Sequence, residues 1–336
     1  MLVVGPAWVG DMVMAQSLFI SLRQRQPSPE VDVIAPAWSL PLLERMPEVR
    51  RAIPLPVAHG ELALGRRWRL GRSLRREGYQ QAIVLPRSAK AALPVLAAGI
   101  PRRTGYKGEH RYGLLNDIRT LDRQKLYRTV DRFVALGQEA DVPLPPPVPE
   151  PHLEISATGR AAAREALGLA GDDAPALALC PGAEYGPAKR WPAAYFAEVA
   201  RDRLAAGWQV WLFGSDKDRP ITGEIADAAP GCTDLAGHTS LAQAIDLLAS
   251  ADVVVSNDSG LMHVAAATGR PVVALYGSSD PGYTPPLSSR ARILYLGLDC
   301  SPCFQRECPL GHLNCLRQIH SDRVLEAITT LHREAA

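Results

Sequence analysis

The sequence predicts an α/β protein made of two parallel β-sheets, each with helices between its strands. Short apolar segments rich in β-branched residues alternate along the chain with longer segments of helical character. VVVS at residues 253–256 is apolar without alternation, as expected for a strand that is covered on both faces. A proline-rich segment, PLPPPVPEP at residues 143–151, separates two halves of similar pattern. Two Rossmann-like domains follow from these observations.

Nine strands are predicted, four before the proline-rich segment and five after it. The first four are LVVG, VDVIAP, AIPLP and AIVLP, and the other five are ALALCPG, QVWLFGS, TDLAG, VVVSN and VVALYG. We place the two domains at residues 1–150 and 151–320. A last helix, residues 321–336, could pack on either domain, including back on the amino-terminal one. Ligands of such sheets bind at the carboxyl ends of the strands, so two facing domains would form a cleft there.

Composition excludes several classes of protein. The chain of 336 residues is 47% apolar and 21% charged, which is ordinary for a globular protein. None of its apolar runs approaches the roughly 18 residues that cross a bilayer. Met1 leads almost directly into a strand without a basic segment before it, so we expect a cytosolic protein without a signal peptide.

Charge is distributed unevenly between the two halves. Residues 1–150 carry 22 Lys and Arg against 14 Asp and Glu, a net charge of +8, whereas residues 151–336 carry 15 against 21, a net charge of −6. The densest basic patches are GRRWRLGRSLRREG and PRRTGYKGEHR, at residues 65–78 and 101–111. A basic half favours an anionic partner, although a solvated helix face would explain either patch alone. We expect no nucleic acid, because no nucleic-acid-binding module accompanies the charge.

The segment VVVSNDSGLMHVAAATGRPVVALYGSSDP, residues 253–281, predicts a strand, a turn, a helix and a second strand. Asp258 or Ser259 lies where the helix N-cap belongs, and Gly269 lies where the helix should end. A helix N-terminus attracts anions, Gly260 allows a ligand close to the backbone, and His263 adds a ring N–H. The segment predicts either a cradle for a diphosphate or an ordinary capped helix.

The first loop, GPAWVGDM at residues 5–12, has the spacing of a phosphate-binding P-loop but carries Asp11 and Met12 in place of the Lys and the Ser or Thr. A carboxylate would repel a phosphate, which argues against a nucleoside triphosphatase. The loop also lacks the GxGxxG pattern of dinucleotide oxidoreductases. On the first turn of a helix the ionised form of Asp11 is favoured, and it could serve as a general base. The alternative is that Asp11 only caps its helix.

Two further polar loops follow strands of the second half. CPGAEYGPAKRWP, residues 180–192, brings Lys189 and Arg190 to a strand end, where a cation suits a leaving phosphate. FGSDKDRP, residues 213–220, brings Asp216, which could accept hydrogen bonds from sugar hydroxyls. Together with the NDSG segment, these loops place three polar clusters on the same edge of one sheet.

Several segments together resemble a known family. They are GPAWVGDMVMAQSL, APAW with PLLERMPEV, RTGYKGEHRYGLLND, CPGAEYGPAKRWP, LFGS and SNDSGLMHVAAATGRPVVALYG. From Met1 to about Arg292 the chain is similar to the ADP-heptose lipopolysaccharide heptosyltransferases of glycosyltransferase family nine, specifically to the heptosyltransferase II branch. The resemblance implies a GT-B fold, in which two Rossmann-like domains face each other across a cleft.

The resemblance also implies a reaction. L-glycero-D-manno-heptose would be transferred from ADP-heptose, with inversion, to the first heptose of the lipopolysaccharide inner core. The acceptor would be linked through Kdo to lipid A, at the cytoplasmic face of the inner membrane, which the protein would touch peripherally. No metal or other cofactor would be required for catalysis.

Individual residues receive roles from the same resemblance. Asp11 would deprotonate the acceptor hydroxyl, and Lys189 would hold the phosphates and the leaving ADP. The other donor-binding residues would be Gly10, Glu184, Tyr185, Asp216, Asp258, Ser259, Gly260 and His263. The basic patches of the amino-terminal half fit the Kdo carboxylates and lipid A phosphates of such an acceptor, and from these patches, not from the resemblance, we select Arg66, Arg67, Arg69 and Arg111 as its ligands.

The segment CSPCFQRECPLGHLNC, residues 300–315, differs from many members of that family. Its four cysteines have the spacing of a structural zinc or iron–sulfur site. They are Cys300, Cys303, Cys308 and Cys315. Free thiols or oxidised pairs in a surface loop are the alternatives, and a reducing cytosol disfavours disulfides.

Three other functions fit the same fold. A nucleotide-sugar epimerase would need further acid and base groups in the cleft. A non-catalytic lipopolysaccharide-binding protein would not need both Asp11 and the loop of Lys189. A heptosyltransferase could also add a different heptose of the core.

Overall fold

The structure is a computed structural model that describes residues 1–58, 60–139, 142–169 and 174–335. The chain divides into two compact units, Met1–Leu153 and Glu154–Ala336. Each unit contains one six-stranded sheet in which all neighbouring strands are parallel. Among the helices of the described residues, none combines the length and the apolar character that crossing a membrane requires.

The amino-terminal sheet has the strand order β3-β2-β1-β4-β5-β6. Its strands are β1 (Leu2–Val4), β2 (Val31–Pro36), β3 (Val49–Leu55), β4 (Gln81–Val84), β5 (Arg102–Tyr106) and β6 (Asp117–Arg119). Its helices are α1 (Val9–Arg23), α2 (Leu40–Leu43), α3 (Leu64–Ser73), α4 (Ala89–Ala97) and α5 (Thr129–Gly137). The order reverses between β1 and β4, so the crevice for a ligand opens at the carboxyl ends of these two strands.

The carboxy-terminal sheet repeats this topology with the order β12-β11-β10-β7-β8-β9. Its strands are β7 (Ala176–Cys180), β8 (Gln209–Leu212), β9 (Thr233–Asp234), β10 (Val253–Asn257), β11 (Val272–Leu275) and β12 (Ala291–Leu294). Its helices are α6 (Ala157–Ala166), α7 (Ala193–Ala205), α8 (Arg219–Ala228), α9 (Leu241–Leu248), α10 (Gly260–Ala267), α11 (Asn314–Arg317) and α12 (Ser321–Ala335). Here the order reverses between β7 and β10.

The predicted α/β class is confirmed, and the nine predicted strands are present. The strands β5, β6 and β12 were not predicted. β6 and β12 are edge strands, and an edge strand does not need the apolar run of a central strand. β5 begins with Arg102 and Arg103, which hide its strand character.

The end of the proline-rich segment packs on α1 in the amino-terminal unit. Ser17 donates a hydrogen bond to the carbonyl of Pro149 at 2.6 Å, and the amide of His152 donates to the Gln16 side chain at 3.0 Å. Gln16 and Ser17 are both buried. These hydrogen bonds satisfy buried polar groups of α1 and tie the segment to it.

Helix α12 packs on the carboxy-terminal unit. It lies against α7 and against the strands β10, β11 and β12. Val324, Ile328 and Leu331 are part of the same buried cluster as the apolar residues of β7 and β10. The sequence left open which domain receives this helix, and its apolar face is used within its own unit.

Candidate active site

The loop that follows β7, residues 181–192, is fixed to the central strand of its sheet by one buried side chain. Asn257, the last residue of β10, is fully buried. Its amide group donates to the carbonyl of Pro181 at 2.7 Å and accepts from the backbone N–H of Trp191 at 3.0 Å. One residue therefore holds both ends of the loop that carries Lys189, which we call the Lys189 loop.

Lys189 forms an ion pair with Asp258, the residue after β10. The Lys189 Nζ lies 2.5 Å from Asp258 Oδ2, and the two side chains are 18% and 6% exposed. Ser279, which follows β11, donates its hydroxyl hydrogen to the same carboxylate oxygen at 2.5 Å. The carboxyl ends of β7, β10 and β11 therefore converge on one charged group. The loops after β7 and β10 are two of the three polar loops that the sequence predicts at this edge, whereas the contribution of β11 was not predicted.

The N-terminus of α10 opens beside this ion pair. Ser259 is the N-cap residue, but within the part of the chain that the structure describes its hydroxyl accepts no hydrogen bond from the helix amides. It lies 3.2 Å from the hydroxyl of Ser256 instead. The sequence predicted either Asp258 or Ser259 as the N-cap. In the structure Ser259 occupies the N-cap position, and the Asp258 carboxylate binds Lys189. Amides without a side-chain cap, together with the helix dipole, form an anion site.

His263 lies on α10 and is buried. The pKa of His263 is lowered to about 4, chiefly because the ring is buried; Asp258 opposes this shift and Lys189 adds to it. The ring is therefore neutral near pH 7, and it can act as a hydrogen-bonding group but not as a cation.

Three other predicted donor-binding residues lie in the loops after β7 and β8. Glu184 accepts a hydrogen bond from Lys217 at 2.6 Å, which links the loops after β7 and β8. Asp216 begins the short helical turn after β8 and is exposed. Tyr185 is 40% exposed, and its hydroxyl donates to the carbonyl of Phe304 at 2.6 Å.

Asp11 and Gly10 lie in the first turn of α1, directly after β1. Gly10 is buried and Asp11 is half-buried. β1 is a strand at which the order of its sheet reverses, so this loop occupies the ligand-binding position of the amino-terminal unit. The helix dipole favours the ionised form of a carboxylate here.

Comparison with known proteins decides the family. The family model for glycosyltransferase family 9, the heptosyltransferases, matches residues 67–314. The chain belongs to glycosyltransferase family 9. The predicted resemblance is thereby confirmed.

Individual members of this family match over nearly their whole length. The chain is 46% identical to lipopolysaccharide heptosyltransferase 2 of Escherichia coli K12, over 98% of this chain and 97% of that protein. The structure of E. coli ADP-heptose LPS heptosyltransferase II matches with a TM-score of 0.89 at 45% identity, over 100% and 99% of the two chains. E. coli heptosyltransferase WaaC with ADP shares the fold, with a TM-score of 0.70 at 20% identity over 100% and 99%. The two parallel six-stranded sheets thus match GT-B heptosyltransferases, as predicted.

Two of the arginines assigned to the acceptor of this glycosyltransferase are buried. Arg67 donates to the carbonyls of Leu62 and Glu61 at 2.8 and 3.0 Å. Arg111 is 2% exposed and donates to the carbonyl of Pro86 at 2.7 Å. Burial lowers the pKa of both groups. The assignment of these two residues therefore needs correction, because their guanidinium groups hold loops of the amino-terminal unit rather than face an acceptor.

The other two arginines, Arg66 and Arg69, are exposed on α3. Arg66 forms an ion pair with Glu61. Arg69 lies beside Trp68, which is 43% exposed on the same helix. Their role in acceptor binding stays a prediction.

The predicted metal site is not formed in the residues that the structure describes. No three His, Cys, Asp or Glu side chains among them are arranged to hold a metal ion. Cys300, Cys303, Cys308 and Cys315 are all free thiols, of which Cys315 is buried. Residues 300–315, which we call the cysteine loop, form a surface segment of the carboxy-terminal unit without a preformed ligand cage.

Sequence reasoning gave no role to Asn257 or Ser279, although both lie within segments that it singled out. Asn257 is the last residue of a strand and Ser279 follows one closely. A polar residue that ends a central strand is the signal that could have identified Asn257, because its side chain can reach the neighbouring loops.

Proposed function

We propose that the protein transfers L-glycero-D-manno-heptose from ADP-heptose to the first heptose of the lipopolysaccharide inner core. The observation that carries this proposal is the Lys189–Asp258 pair, which lies beside the uncapped N-terminus of α10 where the order of the sheet reverses. The names of the full-length relatives support the choice of ADP-heptose as donor and of lipopolysaccharide as acceptor.

The donor diphosphate would be held by the first amides of α10 and by Lys189. A diphosphate attracts the ammonium group that otherwise pairs with Asp258. Asp258 and Ser279 would then be available to bind sugar hydroxyls, the carboxylate as acceptor and the serine as donor. Gly260 permits a close approach of the phosphate to the backbone.

The reaction would invert the anomeric carbon. Asp11 takes the proton of the acceptor hydroxyl, whose oxygen forms the new bond to C1 while the bond from C1 to the diphosphate oxygen breaks. The electron pair of that bond leaves with ADP, and the α10 amides and Lys189 stabilise the added negative charge. General-base assistance of this kind is worth roughly 10²- to 10⁴-fold in rate.

The acceptor would reach the protein at the cytoplasmic face of the inner membrane. α3 carries Arg69 and Arg72, which form no ion pair within the described ranges, and on the same helix the side chains of Leu64 and Trp68 are exposed. Basic and apolar groups on one helix suit a surface of anionic lipid. This surface would provide the peripheral membrane contact.

The proposal is tested by measuring ADP release from ADP-heptose with and without heptosyl-Kdo2-lipid A. We expect release that depends on the acceptor, together with a heptosylated product. Lys189→Met should weaken ADP binding roughly 10- to 150-fold, because one charged hydrogen bond contributes about 1.5–3 kcal/mol. Lys125→Met, at an exposed lysine of the amino-terminal unit, is the matched control.

Three results would contradict the proposal. Conversion of the donor sugar without acceptor would indicate an epimerase, and donor binding without any turnover would indicate a binding protein. Transfer to a core lacking its first heptose, but not to heptosyl-Kdo2-lipid A, would indicate a different heptose of the core.

A further inference from the structure

The cysteine loop contacts the Lys189 loop directly. The carbonyl of Arg306 accepts a hydrogen bond from the amide of Ala188 at 3.0 Å, one residue before Lys189. The carbonyl of Phe304 accepts from the Tyr185 hydroxyl at 2.6 Å. Two separate hydrogen bonds therefore join the middle of one loop to the middle of the other.

Tyr185 connects these contacts to the Lys189 side chain itself. The Arg306 guanidinium lies 5.5 Å from the centre of the Tyr185 ring, and the Lys189 ammonium lies 5.1 Å from it. Both distances are within the range of cation–π attraction. The position of the ring therefore influences where the ammonium group lies.

Gly186 shows how closely the two backbones approach. A Cβ atom on this residue would overlap the carbonyl oxygen of Arg306 and would lie 3.1 Å from its Cα. Backbone atoms cannot move away as the end of a flexible side chain can. Any larger residue at position 186 would therefore push the two loops apart.

The cysteine loop also contacts the segment that supports Asp258. The amide of Phe304 donates to the carbonyl of Ser278 at 2.7 Å, and the Ser301 hydroxyl donates to the carbonyl of Gly277. Ser279, which follows Ser278 in sequence, donates its hydroxyl hydrogen to Asp258. One surface loop thus contacts the supports of both partners of the ion pair.

We infer that the cysteine loop is a positioning element for Lys189, and that Tyr185 and Arg306 are positioning residues for the transfer reaction. This inference rests on the proposed function, because it concerns the surroundings of the residue proposed to hold the diphosphate. The sequence resemblance assigned Tyr185 to direct donor binding. In this scheme Tyr185 instead acts through Lys189. The loop aligns the ammonium group with the phosphate that leaves.

A double-mutant cycle on ADP affinity tests the inference. Arg306→Ala removes one cation from the Tyr185 ring, and we expect ADP to bind about twofold to fivefold more weakly. In the Lys189→Met background the same substitution should change ADP affinity by less than about 1.5-fold, because its effect passes through Lys189. Arg306→Lys, which keeps a cation, should restore most of the affinity.

Two further variants address the hydrogen bond and the close approach. Tyr185→Phe keeps the ring but removes the hydroxyl bonded to Phe304, and it should lower kcat with little change in KM for the acceptor. Gly186→Ala should lower kcat about 10²-fold, since displacement of a reacting group by about 1 Å costs that much. Melting temperature and circular dichroism show whether each variant is folded.

Arg317→Ala is the matched control, because Arg317 is exposed on α11 and forms no ion pair or ring contact within the described residues. It should leave ADP affinity unchanged. Equal effects of Arg306→Ala in both backgrounds, or unchanged affinity and kcat in all the loop variants, would overturn the inference. ADP affinity is measured without acceptor, so the cycle remains decisive if the wild-type protein shows no transfer and the proposed function fails.

Discussion

Asn257→Asp tests how the Lys189 loop is held, because it replaces a single NH2 group by an oxygen. The carbonyl of Pro181 loses the donor that lies 2.7 Å away, while the amide of Trp191 keeps its acceptor. Asn257 is fully buried, so no water replaces the lost donor. Leaving one buried carbonyl without its partner costs about 1–3 kcal/mol.

The pH dependence of this variant makes the test sharper. The new carboxyl group is buried and adjoins Asp258, and both conditions raise its pKa in the folded state. When protonated it can donate to Pro181, so the penalty is small at low pH. The folded state then binds more protons than the unfolded state, and the free energy of unfolding falls as pH rises above about 4. If the pKa of the new carboxyl group in the folded state lies about 3 units above its value in the unfolded state, the free energy of unfolding falls by about 4 kcal/mol at pH values above the folded-state pKa.

The assay is calorimetric unfolding of the wild type and the variant at pH 5 and pH 8. For a unit of this size, 4 kcal/mol lowers the melting temperature by about 8–16 °C, and most of the loss should appear at the higher pH. Asn116→Asp is the control. Asn116 accepts from the amide of Arg103 and donates to the carbonyl of Pro101, the same pattern as Asn257, but it is exposed. If both variants melted alike at pH 8, Asn257 would not be the buried attachment described above.

Three other predictions concern single titratable groups. Asp11→Asn should lower kcat by roughly 10²- to 10⁴-fold and leave the Kd for ADP-heptose unchanged. Asp227→Asn, at an exposed position, is the control. Weaker donor binding with normal turnover would refute the general-base role. Backbone amides lower the pKa of Cys308, whereas burial raises the pKa of Cys180. Iodoacetamide should therefore label Cys308 long before Cys180, as followed by mass spectrometry. Labelling in the reverse order would contradict this prediction. Because the pKa of His263 is lowered to about 4, the free energy of unfolding of the wild type in urea should fall as pH falls from about 6.5 towards 4. His263→Gln should make this dependence on pH weaker. An equal dependence on pH in both proteins would exclude a buried neutral ring.

The central strands were predictable because burial on both faces requires unbroken apolar sequence. VVVSN and ALALC have this pattern and became β10 and β7. β6 and β12 were not predictable in the same way. Each has one strand neighbour and a free edge, so Asp117 in β6 and Arg292 in β12 are accommodated without an apolar run.

The site was predictable where chemistry follows a strand end in sequence. Asp258 and Lys189 were chosen for this reason and form an ion pair. The roles of Arg67 and Arg111 could not be derived, because a cluster of charges does not show which guanidinium groups turn inward to bind carbonyls. The contact between Tyr185 and Phe304 joins residues 119 positions apart, and no local pattern announces it.

The two units share one strand order. In each unit, stability and recognition depend on different parts of the chain and can change independently in evolution. Stability depends on the strands and helices of each core, whereas recognition depends on loops at the carboxyl ends of the strands. Under the proposed function, insertions or substitutions in the loops after β1 and β3 would alter which acceptor is bound, while the proposed nucleotide-sugar site of the carboxy-terminal unit would stay unchanged. If the units divide the work as proposed, a family with this organisation would change its acceptor by mutation in one half and keep the same sugar-nucleotide donor.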